Sequence, residues 1–237
     1  TRILVILRML PPLGGRIVPP SARMVLALVL AWTMAPTAPA GTMPAAPLVA
    51  VLILKEAAVG FVIGLLGSLP FLFLQQAGFL MDAARGGAMS QLLSPTEDES
   101  ATPLGNLFYF LGILLFFASP AGASFWIALS ASFTALPPLP GGFFPPQRML
   151  EASLATSATL LVASVMVAFP VLLLALLVDL LAGMLGRFSP YGGGYFAFLP
   201  LKSVVGIGGA ALSLVVFSPS IERMMAASVT AIRALLV

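Results

Sequence analysis

The residues of this chain that could do chemistry are its few ionisable side chains, because they stand in stretches that are otherwise apolar. Only 8% of the 237 residues are charged, whereas 60% are hydrophobic. An ionisable group inside an apolar membrane span costs a few kcal/mol, so it faces protein or a water-filled cavity by default. Buried ion pairs or sites of proton or ion transfer are therefore expected at Arg8, Arg23, Lys55, Glu56, Asp82, Arg85, Asp179, Arg187 and Lys202.

Neighbouring charges differ in how they can pair. Lys55 and Glu56 are adjacent, and adjacent residues point about 100° apart on a helix, so at least one of them needs another partner. Asp82 and Arg85 have the i, i+3 spacing that allows a local ion pair.

Asp179 and Arg187 lie two helical turns apart, which is too far for direct contact within one helix. Arg187 is expected instead to interact with the last carbonyls of its helix. For Arg23, Arg148 and Arg187 the alternative is a side chain that extends to the membrane surface.

The residue types that the chain lacks exclude most enzyme chemistry. It has no His and no Cys, so it cannot build a Ser–His or Cys–His nucleophile, a thiolate or imidazole metal site, or a disulfide. An aspartyl protease using Asp82 and Asp179 is not favoured, because no glycine precedes Asp179. The formal charge of +3 is not gathered in a basic stripe. We therefore expect no enzyme activity, no metal or other cofactor and no nucleic-acid partner.

The uncharged intervals between these charges predict the elements that position them. A bilayer-spanning helix needs roughly 17 to 25 mainly apolar residues, and residues 57–81, 152–178 and 203–221 each supply such an interval. Residues 100–147 are long enough for two helices, which the Ser-Pro-Ala-Gly signal at 119–122 divides into a predicted helical hairpin. Shorter helices are predicted over 3–10 and 22–33. The sequence therefore predicts an all-α membrane protein with broken helices and helical hairpins.

Four segments read as connections between helices. Residues 36–47 and 137–146 are rich in proline, and Gly192–Gly194 interrupts a helical pattern. The fourth is an acidic run whose simple interpretation is a solvated loop: Ser94, Pro95, Thr96, Glu97, Asp98, Glu99 and Ser100. Residues 1–147 hold several short helices, whereas 148–237 read as one long helical hairpin, so two architectural modules are predicted within one integral domain.

Small residues predict a close helix contact in the 57–81 interval. Gly60 and Gly64 are four apart and Gly67 follows, which lets another helix approach closely in a membrane. We predict that these glycines serve helix packing rather than ligand binding.

Motifs along the whole chain, in order and spacing, resemble the SctT/FliR family (also SpaR or YscT) of the type III secretion export apparatus. They include Arg8, the Pro-x-x-Arg entry at residues 20–23, the acidic residue before two glycines at 56–64, and residues 77–90, 94–95, 132–137, 169–190 and 199–203. Asp179 and Lys202 are more similar to the virulence-type injectisome branch than to the flagellar branch.

The resemblance implies a structural and gating subunit of the export gate, a multi-pass protein of the bacterial inner membrane. One subunit of that gate is like a fusion of its two partner types, so residues 1–147 would be the SctR/FliP-like module and 148–237 the SctS/FliQ-like hairpin. The segment at about 90–103 corresponds to the plug that closes the channel, with Ser94–Ser100 as its gating residues. The buried charges Arg8, Arg23, Glu56, Asp82, Arg85, Asp179, Arg187 and Lys202 would serve assembly.

The implied partners are SctR/FliP-family and SctS/FliQ-family subunits, SctU/FlhB-family and SctV/FlhA-family export components, secreted unfolded proteins and membrane lipid. An alternative function is a proton- or ion-coupled transporter of small solutes. It would use Glu56 or Asp179 as the coupling site, and broken helices are compatible with both functions.

Overall fold

A computed structural model describes residues 1–14, 18–34, 46–87, 102–138, 145–186 and 194–236. Within these ranges the regular elements are helices, which confirms the predicted all-α membrane class. In chain order they are α1 (Arg2–Met9), α2 (Pro11–Gly14), α3 (Pro20–Met34), α4 (Ala46–Ala84), α5 (Pro103–Ala118), α6 (Pro120–Ala135), α7 (Pro146–Gly186) and α8 (Gly194–Leu236).

Proline marks the start of many of these helices. Its fixed φ suits the first helical position, and the N–H that it lacks would have no partner there. Five helices begin at a proline, so the sequence itself marks where they start: Pro11, Pro20, Pro103, Pro120 and Pro146.

Three helical stretches in the described ranges are long and apolar enough to cross a membrane. Each contains one of the predicted uncharged intervals and extends beyond the charged residues at the limits of that interval, as α4 extends through Lys55 and Glu56. A charge ends an apolar interval but does not end a helix when the side chain finds a partner. The stretches are Leu48–Ala84, Pro146–Gly186 and Phe198–Leu236.

The predicted hairpin over residues 100–147 is wrong in its geometry. α5 and α6 meet at a bend of 70° instead of folding back on each other. Only Ser119 separates them, and Pro120 starts α6 at once, so no linker is available to reverse the chain. The pair is a broken span or a re-entrant element.

The described chain divides into two compact units. The first contains residues Thr1–Phe71, Ile113–Thr159 and Met224–Val237, and the second contains Leu72–Gly112 and Leu160–Arg223. Their boundaries differ from the predicted modules 1–147 and 148–237. Those modules rest on the helix lengths along the sequence and on the family resemblance, and they stay a prediction.

In the first unit, α1 packs directly on α4 at glycine positions. A Cβ at Gly60 would lie 2.6 Å from the carbonyl oxygen of Arg2, and one at Gly64 would lie 3.3 Å from the Cα of Ile6. Further along α4, a Cβ at Gly67 would lie 2.7 Å from Cε2 of Phe125. Glycine is needed wherever the opposing atoms belong to a backbone, because those atoms cannot move aside.

In the second unit, α7 and α8 run antiparallel. The hydroxyl of Ser213 donates a hydrogen bond to the carbonyl of Val167. A Cβ at Gly209 would lie 2.9 Å from Cδ1 of Leu174 and 3.3 Å from Cγ2 of Val171. Residue numbers rise along one helix as they fall along the other, which is the arrangement of a helical hairpin.

Large apolar side chains remain exposed on both units. Trp32 on α3 is 83% exposed and Val215 on α8 is 77% exposed. The spanning stretches bury only about a third of their most apolar windows inside the chain. Exposed apolar area of this extent requires cover by lipid or by other protein chains.

Replacing Gly60 with alanine should destabilise the protein, because the new methyl group would meet the backbone of Arg2. We expect Gly60→Ala to lower the free energy of unfolding by about 1 to 3 kcal/mol. The matched control is Gly183→Ala, since nothing lies within 4 Å of a Cβ at that helical position. Thermal unfolding of the detergent-solubilised protein measures both, and equal unfolding temperatures for the two variants would contradict the packing.

Candidate functional site

Arg2 is the centre of the buried charge network in the first unit. It is 1% exposed, and its guanidinium forms an ion pair with Glu56, with Nε 2.9 Å from Oε2 and Nη2 2.7 Å from Oε1. Nη1 donates to the carbonyl of Ser132 at 2.7 Å and to its hydroxyl at 3.1 Å, and Nη2 donates to the carbonyl of Leu136 at 2.6 Å. All five N–H donors of an arginine are thereby used.

The acceptors of Arg2 include the end of a helix. Ser132 lies in the last turn of α6 and Leu136 is its C-cap, where the helix dipole is negative and the last carbonyls have no further helical donor. The carbonyl of Ser132 already accepts the N–H of Leu136 at 3.0 Å and takes the guanidinium as a second donor. The guanidinium also lies over the ring of Phe133, 4.5 Å from its centroid. Arg2 therefore joins α1, α4 and the C-terminus of α6 through one charge.

Sequence reasoning missed Arg2 and chose Arg8 instead. Arg8 is exposed on the chain and donates a hydrogen bond to the carbonyl of Gly14 at 3.3 Å. The helical period of α1 carried the signal, since Arg2 lies among the buried positions Ile3, Ile6 and Leu7 whereas Arg8 lies outside them.

The remaining predicted charges of the first unit bind backbone carbonyls. Lys55 Nζ donates to the carbonyl of Pro137 at 3.0 Å, so Lys55 and Glu56 have separate partners, as their spacing predicts. Arg23 donates to the carbonyls of Leu13 at 3.1 Å and of Val18 at 3.0 Å. These carbonyls flank the connection between α2 and α3, so Arg23 fastens the start of α3.

In the second unit, Asp82 lies at the end of α4 and is fully buried. The predicted pair with Arg85 is confirmed, with Nε 2.5 Å from Oδ1. The other carboxylate oxygen, Oδ2, accepts the backbone N–H of Leu104 at 2.7 Å. Leu104 lies in the first turn of α5, where N–H groups lack helical partners and negative charge is favoured.

The first turn of α5 has a second cap in the chain just before it. The hydroxyl of Thr102 accepts the N–H of Gly105 at 3.2 Å, as an N-cap residue does. On the other side, α4 ends at Ala84 and a turn follows through Gly86, whose φ of 89° suits glycine; the N–H of Gly87 donates to the carbonyl of Asp82 at 2.8 Å. Both ends of the connection from residue 88 to 101 are therefore held at Asp82.

The third ion pair joins the two helices of the hairpin. Lys202 Nζ lies 2.8 Å from Oδ1 and 2.6 Å from Oδ2 of Asp179. The lysine side chain is 12% exposed and the aspartate 41% exposed. This pairing explains why Asp179 needs no contact with Arg187, which lies outside the described residues.

The predicted buried charges that lie in the described ranges leave little chemistry unassigned. Glu56, Asp82 and Asp179 are each in an ion pair, and no group of three or more possible metal ligands occurs among the described residues. A cavity of about 470 Å³ lies beside Arg2 and Glu56 and is lined mainly by apolar side chains, including Leu4, Met24 and Leu28. The arrangement fixes helices to one another. The predicted gating residues Ser94–Ser100 lie outside the described ranges.

We expect Arg2→Leu to lower the free energy of unfolding by about 3 to 5 kcal/mol, since it leaves the Glu56 carboxylate unpaired in a buried site. The matched control on the same helix is Arg8→Leu, which should change it by less than about 0.5 kcal/mol because Arg8 is exposed. Adding Glu56→Leu to Arg2→Leu should recover part of the loss. Thermal unfolding measures the cycle, and equal losses for Arg2→Leu and Arg8→Leu would refute this assignment.

The Asp179–Lys202 pair should serve hairpin assembly. Asp179→Lys or Lys202→Asp alone places like charges together and should lower the yield of protein recovered from membranes. The double exchange Asp179→Lys with Lys202→Asp restores opposite charges and should recover the yield. Full yield for both single variants, accompanied by loss of transport activity, would instead indicate a transport role.

Comparison with known protein families adds an independent finding. The family described as bacterial export proteins, family 1, matches residues 1–228. The chain is 31% identical to Yop proteins translocation protein T of Yersinia pestis over 168 residues, 70% of this chain and 62% of that protein. It is 30% identical to secretion system apparatus protein SsaT of Salmonella typhimurium over 154 residues, 65% of this chain and 59% of that protein.

A flagellar relative matches over a longer stretch at lower identity. The flagellar biosynthetic protein FliR of Escherichia coli is 24% identical over 225 residues, 94% of this chain and 85% of that protein. The higher identity to the translocation and secretion-system proteins agrees with the predicted branch. Since the match covers 228 of 237 residues, the chain belongs to the bacterial export proteins of family 1.

Proposed function

We propose that this chain is a structural and gating subunit of the export gate of a type III protein secretion system. It forms part of the channel through which unfolded proteins cross the bacterial inner membrane. The family match over residues 1–228 carries this proposal. Relatives named for translocation, for a secretion system apparatus and for flagellar biosynthesis support it.

The proposed role is assembly and gating, without catalysis. The buried and half-buried charges support it, because Arg2, Glu56, Asp82, Arg85, Asp179 and Lys202 fix helix ends and helix pairs. The ion-coupled transporter is the weaker alternative, since its coupling carboxylates Glu56 and Asp179 are engaged with Arg2 and Lys202. A coupling site must be able to exchange its proton or ion during transport.

Partner subunits are the second part of the proposal. The exposed apolar faces of α3, α7 and α8 are covered by SctR/FliP-family and SctS/FliQ-family subunits, and by lipid where no subunit lies. SctU/FlhB-family and SctV/FlhA-family components complete the export apparatus. Within this chain, residues 1–147 take the SctR/FliP-like place and 148–237 the SctS/FliQ-like place.

The acidic segment Ser94–Ser100 is the proposed plug of the channel. Support comes from the residues on either side of the range 88–101 that contains it. The N–H of Gly87 donates to the backbone carbonyl of Asp82, and the carboxylate of Asp82 accepts the N–H of Leu104 at the start of α5, which Thr102 also caps. A segment with fixed ends can occupy a channel repeatedly in the same place. Its acids Glu97, Asp98 and Glu99 would favour cations over anions in a narrow passage.

Deleting residues 94–100 should make the assembled complex leak small ions while leaving assembly intact, because Thr102 and the cap on α5 remain. The matched control neutralises the acids without shortening the segment, as Glu97→Gln, Asp98→Asn and Glu99→Gln together. We expect the control to stay closed and to lose cation preference in the open state. Conductance of the purified complex in planar bilayers measures both, and unchanged conductance after the deletion would argue against the plug.

A further inference from the structure

Asp179 keeps an open side although Lys202 binds both of its oxygens. The aspartate side chain is 41% exposed, whereas the lysine side chain is 12% exposed. Among the described residues Lys202 is the one hydrogen-bond partner of this carboxylate. A carboxylate offers about four lone-pair positions, so its outward half can accept further hydrogen bonds.

The open side of Asp179 lies within an apolar surface and not at its edge. Asp179 belongs to α7, which is long and apolar enough to cross a membrane. Large apolar side chains are exposed on α7 both before and after it: Leu173, Leu176, Leu177, Leu180, Leu181, Met184 and Leu185. Hydrocarbon offers no hydrogen-bond donor, so an ionisable group in such a span faces protein or a water-filled cavity. Lipid tails are therefore a poor cover for this part of α7.

A small residue lies on the same face of α7 as Asp179. Gly183 follows Asp179 by four residues, which is one helical turn. Nothing lies within 4 Å of a Cβ at Gly183, so packing within the described residues does not require glycine there. Glycine weakens a helix interior relative to alanine, whereas a small residue lets a second helix approach closely in a membrane. The carboxylate and the glycine together favour a helix of another chain as the cover.

We infer that Leu176, Asp179 and Gly183 form a docking face for a helix of another subunit, and that this helix carries a hydrogen-bond donor opposite the Asp179 carboxylate. A hydroxyl or amide group fits this place best, because the Asp179–Lys202 pair is already neutral and a further buried charge would be left uncompensated. Lys202 then holds the carboxylate within the chain while the partner satisfies its open side. The inference rests on the proposed function only for the identity of the assembly in which that subunit lies.

The test replaces the ion pair by apolar side chains of similar size, as Asp179→Leu with Lys202→Met. Such an exchange is often neutral or stabilising within one chain, so the detergent-solubilised chain should keep its unfolding temperature. The donor of the partner helix would lose its acceptor and be left unsatisfied in the contact. Recovery of partner subunits with this chain as bait, measured by native mass spectrometry, should therefore fall about tenfold or more, which corresponds to about 1.4 kcal/mol.

Met184→Leu is the matched control, because Met184 is exposed on the same helix and lies outside the docking face. It exchanges one apolar side chain for another of similar volume and should leave the recovery of partner subunits within about twofold of the unmodified chain. Recovery at the level of this control for Asp179→Leu with Lys202→Met overturns the inference.

Gly183→Leu carries the same test if the double variant fails to fold. Its side chain meets no described atom of this chain near the backbone, so the unfolding temperature of the free chain should be kept. The added side chain would obstruct a helix packed at Gly183, and the recovery of partner subunits should fall about tenfold or more. Unchanged recovery in this variant overturns the inference equally.

A photo-crosslinking amino acid in place of Leu176 separates failure of the docking face from failure of the proposed function. In membranes it should give a protein adduct that Asp179→Leu with Lys202→Met abolishes, whereas lipid adducts alone overturn the inference. If only lipid is captured while SctR/FliP-family and SctS/FliQ-family subunits still co-purify, the proposed function stands and the docking face fails. If the protein captured lies outside any secretion apparatus, the docking face stands and the proposed function fails.

Discussion

A buried charge placed at the end of a helix is the interaction on which the described structure depends. In an apolar environment, the first N–H groups and the last carbonyls of a helix find no water and must bind a side chain. Asp82 supplies a carboxylate to the start of α5, and Arg2 supplies a guanidinium to the end of α6. Each charge has the sign that the helix dipole favours at that end. The broken pair α5 and α6 can therefore end where a soluble helix would rely on solvent.

The elements of the fold could be predicted from the sequence because their signals are local. Prolines mark helix starts, and uncharged intervals mark the spans of α4, α7 and α8. The pairing of Asp82 with Arg85 also follows from spacing on one helix. The bend between α5 and α6 was missed because Ser119 and Pro120 read as a turn, although one residue is too short a link for a hairpin.

The site could be predicted only in part, because most acceptors of its charges are backbone groups. Every residue type has such backbone groups, so the sequence does not show which of them bind a charge. Here they are the carbonyls of Ser132, Leu136 and Pro137 and the N–H of Leu104. They also lie far along the chain from the charges that bind them. Arg2 was hidden for this reason, and only its place on the buried face of α1 distinguishes it from Arg8.

The low charge content by itself indicates only a membrane environment. The contacts show in addition that many of the few charges bind one another or the ends of helices. A large apolar area is exposed on α3, α7 and α8, together with the charged side chains of Arg148, Glu151, Glu222, Arg223 and Arg233. Under the proposed function that area belongs largely to contacts between subunits. Native mass spectrometry of the complex purified with this chain as bait tests this most directly. The account predicts one assembly that contains SctR/FliP-family and SctS/FliQ-family subunits together with this chain, whereas a stable and functional monomer would contradict it.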